Sequence, residues 1–242
     1  MKLHEIIDTE FRDTVSHDTR NTTSKFKDTK LVGAGYYSTA HQPRNNPYEI
    51  HKASRRPFNY NANSLTPADD DVDPYYDWVK AIAPYAKSNP YLPRVYVANN
   101  NKDKTGALKP EYEMEKLLDY KKVPINVLYN LLYNESLDYD AEELYVNDLK
   151  RLIKSGNYSA EEIHELGARK IWFRTLRYII ANVRNNPQIQ EALDIIDKLV
   201  AERGYRKDMH SGNFMIRSTS IGPQIVITDP IAHKAMRVNK FI

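Results

Sequence analysis

Apolar and polar positions change their rhythm near the middle of the chain, and the change separates what the two halves can build. Residues from about 1 to 28 are polar and predict a short strand or helix followed by loop. From Lys30 the run Leu31-Val32-Gly33-Ala34-Gly35-Tyr36-Tyr37-Ser38-Thr39-Ala40 has an apolar entry, a glycine turn and β-prone residues leaving it, which predicts a hairpin. Tyr48 to Ala53 is a short candidate strand, and Ser54 to Pro74, rich in Asn, Asp, Pro and Arg, predicts a long loop. Tyr75 to Ala83 carries apolar groups at helical spacing, with Pro74 suited to a first turn and Pro84 near the end. Leu92 to Ala98 and Tyr112 to Leu117 then predict strands, separated by the turn-forming Asn99 to Asp103 and Gly106.

After Pro124 the period becomes helical. Val127, Leu128, Leu131 and Leu132 make one face, and Leu144, Leu149, Leu152 and Ile153 lie on a second helix that begins near Asp140. Ser159 with Glu162 has the pattern of a capping box ahead of a helix through Ile171, Trp172, Leu176 and Ile179. A further helix starts at Pro187, places Ile189, Leu193, Ile196, Leu199 and Val200 on one side, and stops at Gly204. Phe214 to Ile216 and Gln224 to Thr228 flank Gly222-Pro223 and predict a second hairpin. The expectation is an α+β protein, with a small antiparallel-sheet unit over 1–117 and a helical unit over 118–242. No internal repeat or low-complexity segment is visible.

Composition narrows the classes of function. With 41% hydrophobic and 28% charged residues the chain is expected to fold as a polar-surfaced globular protein. A formal charge of only +3, with both signs mixed along the sequence, provides no basic stripe, so a nucleic-acid partner is not favoured. The absence of cysteine excludes disulfides, thiolate metal sites and cysteine nucleophiles and is compatible with a reducing cytoplasm. Met1 to Ile7 runs into charged residues without an apolar core, and no stretch approaches the roughly 20 apolar residues of a membrane span. A soluble, cytoplasmic, unprocessed chain without a membrane partner is expected.

The most informative segment is Asp208-Met209-His210-Ser211-Gly212-Asn213, followed by Ile227-Thr228-Asp229-Pro230. Phosphoryl transfer needs a carboxylate beside the attacking hydroxyl and oxygen ligands for the magnesium that bridges the phosphates. Asp208 and Asn213, on a loop between helix and strand, can supply the base and one ligand, and Asp229 at the end of the next strand can supply the other. Asp, Asn and Gly form turns in any protein. What points to chemistry is the setting: an amphipathic helix stopping at glycine, then this loop, then a hairpin ending in aspartate. Gly33-Ala34-Gly35-Tyr36-Tyr37-Ser38 adds a glycine turn whose N–H groups can approach phosphates, with the Ser38 hydroxyl as a further donor. Lys52 lies on the following strand.

Taken together, the glycine loop, the Ile50-His51-Lys52 strand, the helix, Asn89-Pro90-Tyr91-Leu92-Pro93, Met114-Glu115-Lys116-Leu117 and the two C-terminal motifs resemble the two-lobed protein-kinase-like fold, in its order of elements. More narrowly, Asp208 to Met215, Ile227 to Pro230 and the earlier G-x-G-x-x-S-x-A resemble the early serine/threonine protein kinases of short-tailed lytic bacteriophages. The D-x-H-x-x-N form is also similar to aminoglycoside-phosphotransferase-type kinases. The resemblance spans about Leu31 to Pro230. It implies that Asp208 is the catalytic carboxylate, Asn213 and Asp229 the magnesium ligands and Lys52 the lysine on the ATP phosphates. It also implies that Gly33, Gly35 and Ser38 cover the nucleotide, that Met114, Glu115 and Leu117 belong to the hinge that meets adenine, and that His210 orients the loop.

Three departures from the family pattern stand out. The helix from Tyr75 to Ala86 has no glutamate to pair with Lys52, Asp77 being the nearest acidic candidate. Asp229 is followed by proline, so a mobile activation segment is not expected. With Ile231 to Ile242 following, the helices that seat peptide substrates in ordinary protein kinases are not expected either. The function implied is ATP- and magnesium-dependent phosphorylation of host proteins. A catalytically weak module that binds a host or viral protein is the second reading, and a small-molecule kinase is the third.

Overall fold

Five strands of the first half hydrogen-bond into one antiparallel sheet in the order β1-β2-β3-β5-β4. They are β1 (Thr29–Ala34), β2 (Ser38–Pro43), β3 (Glu49–Ser54), β4 (Val95–Asn99) and β5 (Glu111–Glu115). The structure, a computed structural model, describes residues 28–34, 38–55, 57–58, 73–124, 126–128, 130–131, 150–151, 154–156, 158–181 and 183–233. Over these residues the protein is a mixed α+β fold. Register places Lys52 between Ala40 of β2 and Tyr112 of β5, so the three share one sheet face.

That face is covered by α1 (Pro74–Ile82), which starts as its sequence predicts. Asp73 is the N-cap, its side chain accepting the Tyr75 N–H, and Pro74 opens the first turn. Nearly all of α1 is buried, with Trp78 and Ile82 fully so, because the helix lies between the sheet and α3 (Pro187–Arg203). Phe58, from the segment expected as loop, pairs with Leu108 and is buried against Tyr76.

The capping box forms as expected: the Ser159 N–H donates to Glu162 Oε2 at 2.8 Å and the Glu162 N–H to Ser159 Oγ at 3.2 Å, opening α2 (Ala160–Ala181). Ile171, Trp172, Leu176 and Ile179 of α2 are buried. Asn186 caps α3 and Gly204 ends it at φ 68°, a left-handed conformation that suits glycine. Ile189, Ala192, Ile196 and Leu199 form the buried side of α3, each aliphatic side chain of Leu or Ile size contributing roughly 1.5–3 kcal/mol by leaving water. Val127, Leu128 and Leu131 also turn inward on helical backbone, whereas Leu132, and Leu144, Leu149, Leu152 and Ile153 of the helix expected from Asp140, lie outside the described residues; 150–151 and 154–155 of that stretch are helical.

The second hairpin is longer than expected, and its turn is elsewhere. β7 (Phe214–Thr219) pairs with β8 (Gly222–Ile227), with Thr219 opposite Gly222 and Ser218 opposite Pro223. Gly222-Pro223 therefore begins a strand, and Ser220-Ile221 make the turn. Proline is tolerated because the ribbon has only two strands and Pro223 needs no partner on its outer side. Two very short strands, β6 (Arg206–Lys207) and β9 (Ile231–Ala232), pair antiparallel and were not anticipated. Leu118 exchanges both backbone bonds with Ile216, at 2.8 and 2.9 Å, and so ties the chain leaving the sheet to the hairpin. Among the described residues no helix is long and apolar enough to cross a membrane.

Candidate active site

The loop from Asp208 to Asn213 is held at both of its ends by the segment that follows β8. The Asp208 N–H donates to Pro230 O at 2.7 Å, while Asn213 O accepts from the Thr228 N–H at 2.8 Å and from Thr228 Oγ1 at 3.0 Å. Asp229 thus sits between two neighbours pinned to the two ends of the loop. Within the loop, Asn213 Nδ2 donates to Asp208 O at 2.7 Å, which commits the amide nitrogen and leaves the amide oxygen to face outward from that bond. His210 closes a 3-10 turn over Ser211–Asn213: its Nδ1 accepts from the Gly212 N–H at 3.0 Å and its carbonyl from the Asn213 N–H at 2.9 Å. A Cβ at Gly212 would lie 3.0 Å from His210 Cε1, a tight contact that the His210 ring would have to relieve by shifting. Trp172 Nε1 donates to Ser211 O at 3.2 Å and anchors the loop to α2.

Asp208 Oδ1 is buried and has no hydrogen-bond partner among the described residues. Asp208 Oδ2 lies 3.7 Å from His210 Nε2, too far for a hydrogen bond. An ionisable oxygen in this state lacks the donor or cation that burial requires. His210 is tied into the loop through its ring Nδ1 and its carbonyl.

Lys52 reaches this loop from the sheet. Its Nζ is 3.2 Å from Asp229 Oδ2, although the two residues are 177 apart in sequence. Asp77, named as the acidic candidate for Lys52, is engaged elsewhere: it accepts from Arg203 Nε at 2.9 Å and from Tyr205 OH at 2.6 Å, fastening α1 to the end of α3. The acid of the helix start that acts on Lys52 is Asp73. Burial raises its pKa above the ordinary carboxylate value, the field of Lys52 and the Ser54 hydroxyl at 2.6 Å pull it down, and Asp229 raises it further. The signal for Asp73 was present in the sequence as an N-cap immediately before a first-turn proline.

The glycine and hinge positions divide. Gly33 lies in β1, exposed, and a Cβ there would meet Ala40 only at 3.8 Å, an ordinary contact, so packing does not require glycine. Gly35 lies outside the described residues. Ser38 is buried at the start of β2, opposite Ser54. Met114 is buried between Ile50 and Val95 and its Sδ accepts from Tyr75 OH at 3.4 Å. The Glu115 carboxylate is clasped by Arg217 at 2.5 and 2.7 Å and accepts the Arg94 N–H at 2.8 Å, so its side chain faces protein. The N–H groups of Lys116 and Leu118 bond Tyr48 O and Ile216 O; that of Leu117, between them, makes no hydrogen bond among the described residues.

Three hard oxygen donors, Asp208, Asn213 and Asp229, beside an ammonium are a donor set suited to magnesium and phosphate and not to a soft metal. The partnerless Asp208 Oδ1 and the committed Asn213 nitrogen are consistent with that fit. Glu49, His51 and Glu113 place potential ligand atoms within 4.8 Å of one another on the other face of the sheet, where the 2.7 Å pairing of His51 with Glu49 accounts for the approach.

Asp73 carries a pH signature. Its folded pKa is raised, so the folded state holds the proton more tightly and stability falls as pH rises from the unfolded carboxylate value through the folded one. Asp73→Asn keeps an N-cap oxygen and removes the titration. Wild-type melting temperature should therefore decline relative to Asp73→Asn as pH is raised from about 3.5 through the carboxylate range, and parallel curves would assign Asp73 no burial cost. No family model matches this chain and no curated protein does, so what the site does follows from its own donors and their geometry.

Proposed function

We propose that the protein is an ATP- and magnesium-dependent phosphotransferase of two-lobed protein-kinase-like build, transferring phosphate to serine or threonine hydroxyls of host proteins, as its resemblance to the short-tailed bacteriophage kinases implies. The observation that carries the reading is the 3.2 Å approach of Lys52 Nζ to Asp229 Oδ2, which brings a sheet cation and a loop carboxylate to one point from opposite ends of the chain. At that point Lys52 would bind phosphate oxygens, Asn213 Oδ1 and Asp229 would hold magnesium, and Asp208 would take the proton of the acceptor hydroxyl. Bound magnesium would neutralise charge on the phosphates. The Leu117 N–H offers a donor for an adenine edge, and Gly33 is free of any packing demand for glycine.

Transfer of labelled γ-phosphate from ATP into the protein itself, a bacterial extract and small hydroxyl acceptors tests the proposal. Label in none of them, and none released to water, would overturn it. Asp229→Ala is expected to weaken magnesium-dependent ATP binding by about 10-fold or more, because Asn213 alone is a neutral ligand. Calorimetry reads this, and unchanged affinity in a folded variant would remove Asp229 from the metal site. The commitment of Asp77 to Arg203 and Tyr205 favours the second reading, a nucleotide-binding module that works through a protein partner. ATP binding without transfer would select it.

A further inference from the structure

We propose that Tyr75 is the positioning residue for Lys52: the face of its ring, and not a helix carboxylate, holds the lysine ammonium at the point where a nucleotide polyphosphate binds. The inference rests on the reading of Lys52 as the phosphate-holding group and adds the means by which it is held.

Lys52 Nζ lies 3.0 Å over the centroid of the Tyr75 ring. The lysine side chain is only 13% exposed, and a cation over an aromatic face gains most where water is excluded. The ring cannot drift. Asp73 Oδ1 accepts the Tyr75 N–H at 3.0 Å, the ring of Tyr112 packs edge-on at 5.3 Å, and the phenol donates to Met114 Sδ at 3.4 Å. Tyr112 is also the register neighbour of Lys52 on β5, so the lysine and its platform are set by the same strand pairing. Burial, with the fields of Asp229, Asp73 and Glu115, pushes the phenol well above its ordinary pKa, which keeps it a neutral donor to Met114.

The arrangement has a chemical consequence. A second carboxylate packed against Lys52, in addition to Asp229, would offset more of its charge, whereas a neutral ring fixes the ammonium in place without adding a further negative charge. An ammonium has three N–H donors; at 3.0 Å from the ring centroid one is directed at the ring face, and a second serves Asp229 Oδ2. One donor remains for a phosphate oxygen. This explains how α1 dispenses with a glutamate: Asp77 is committed to Arg203 and Tyr205, and Asp73 acts on Lys52 through its field while its own oxygens hold Ser54 and the helix start.

The test has a structural arm and a binding arm. In nucleotide-free protein, the Lys52 ε-methylene protons should resonate well upfield in wild type and in Tyr75→Phe, under the ring current, and should return to ordinary positions in Tyr75→Leu. Ordinary positions in wild type would overturn the proposal whether or not any variant folds. For binding, Tyr75→Phe and its mono-, di- and trifluorinated analogues keep the shape of the ring while draining its face. Magnesium–ATP affinity should fall stepwise along the series, by roughly 10-fold in total, at little change in melting temperature. A flat series in a protein that binds ATP would overturn the platform role. Wild type that binds no ATP would defeat the phosphotransferase reading instead, and the ring-current shift would still decide whether Tyr75 holds Lys52.

Discussion

Asp208→Asn is expected to lower phosphoryl transfer by about 100-fold to 10,000-fold, the range of a general base together with its positioning effect. ATP affinity should stay nearly unchanged, because the carboxylate is asked to act on the acceptor hydroxyl in the transition state and not on the bound nucleotide. The structure makes asparagine the right probe. The loop is held through the backbone of Asp208, whose N–H bonds Pro230 O and whose carbonyl takes the Asn213 amide, and neither bond involves the carboxylate. Asp208 Oδ1 has no hydrogen-bond partner among the described residues, so its replacement breaks nothing that holds the fold. A loss of transfer with normal melting temperature and normal ATP affinity would therefore report chemistry. Equal turnover in wild type and Asp208→Asn would leave the loop as a scaffold for nucleotide and place the function on the protein surface.

The extent to which this site was legible in the sequence depended on the range of the interactions involved. Local signals were readable: the Ser159–Glu162 box, the Gly204 stop and the first-turn Pro74 each act within a few residues and appear where expected. The Asp208 to Asn213 loop was readable as a short motif for the same reason, most of its partners lying within itself and the segment after the hairpin, with Trp172 of α2 the distant one. What failed was long-range. Asp77 stood as the nearest acidic candidate for Lys52 because it is the acid within the helical pattern. Arg203 and Tyr205, more than a hundred positions later, claim it. Neither Tyr75 beneath Lys52 nor β6 against β9 has a periodicity that announces it, since one is a packing contact and the other a pairing of two residues on each side. The turn at Ser220-Ile221 was misplaced because Gly222-Pro223 is the stronger turn signal in isolation, while strand register on both sides moved the turn.

Glu115→Ala is expected to cost on the order of 3–5 kcal/mol of stability, the usual penalty for removing one partner of a buried ion pair. Glu115 and Arg217 are each less than a tenth exposed, joined by two hydrogen bonds, and they connect β5 with β7 across a separation of 102 residues. Arg217 also donates to Pro90 O and Leu92 O, so its guanidinium would remain buried between carbonyls after the carboxylate is gone, with its charge uncompensated. The Arg94 N–H would lose its acceptor as well. Replacing both partners together, Glu115→Leu with Arg217→Met, removes the stranded charge and should recover part of the loss, although the carbonyls of Pro90 and Leu92 then lack their donor. Urea denaturation of the two single variants and the double variant measures the coupling. A double variant as unstable as the sum of the singles would mean that the two residues act independently. A Glu115→Ala protein with normal stability but weakened ATP affinity would reverse the assignment and make the side chain a nucleotide contact. The geometry favours the first outcome, because a carboxylate already holding a guanidinium and a backbone N–H has little capacity left to offer a ligand, and the clasp instead fixes the strand end from which the Leu117 N–H projects.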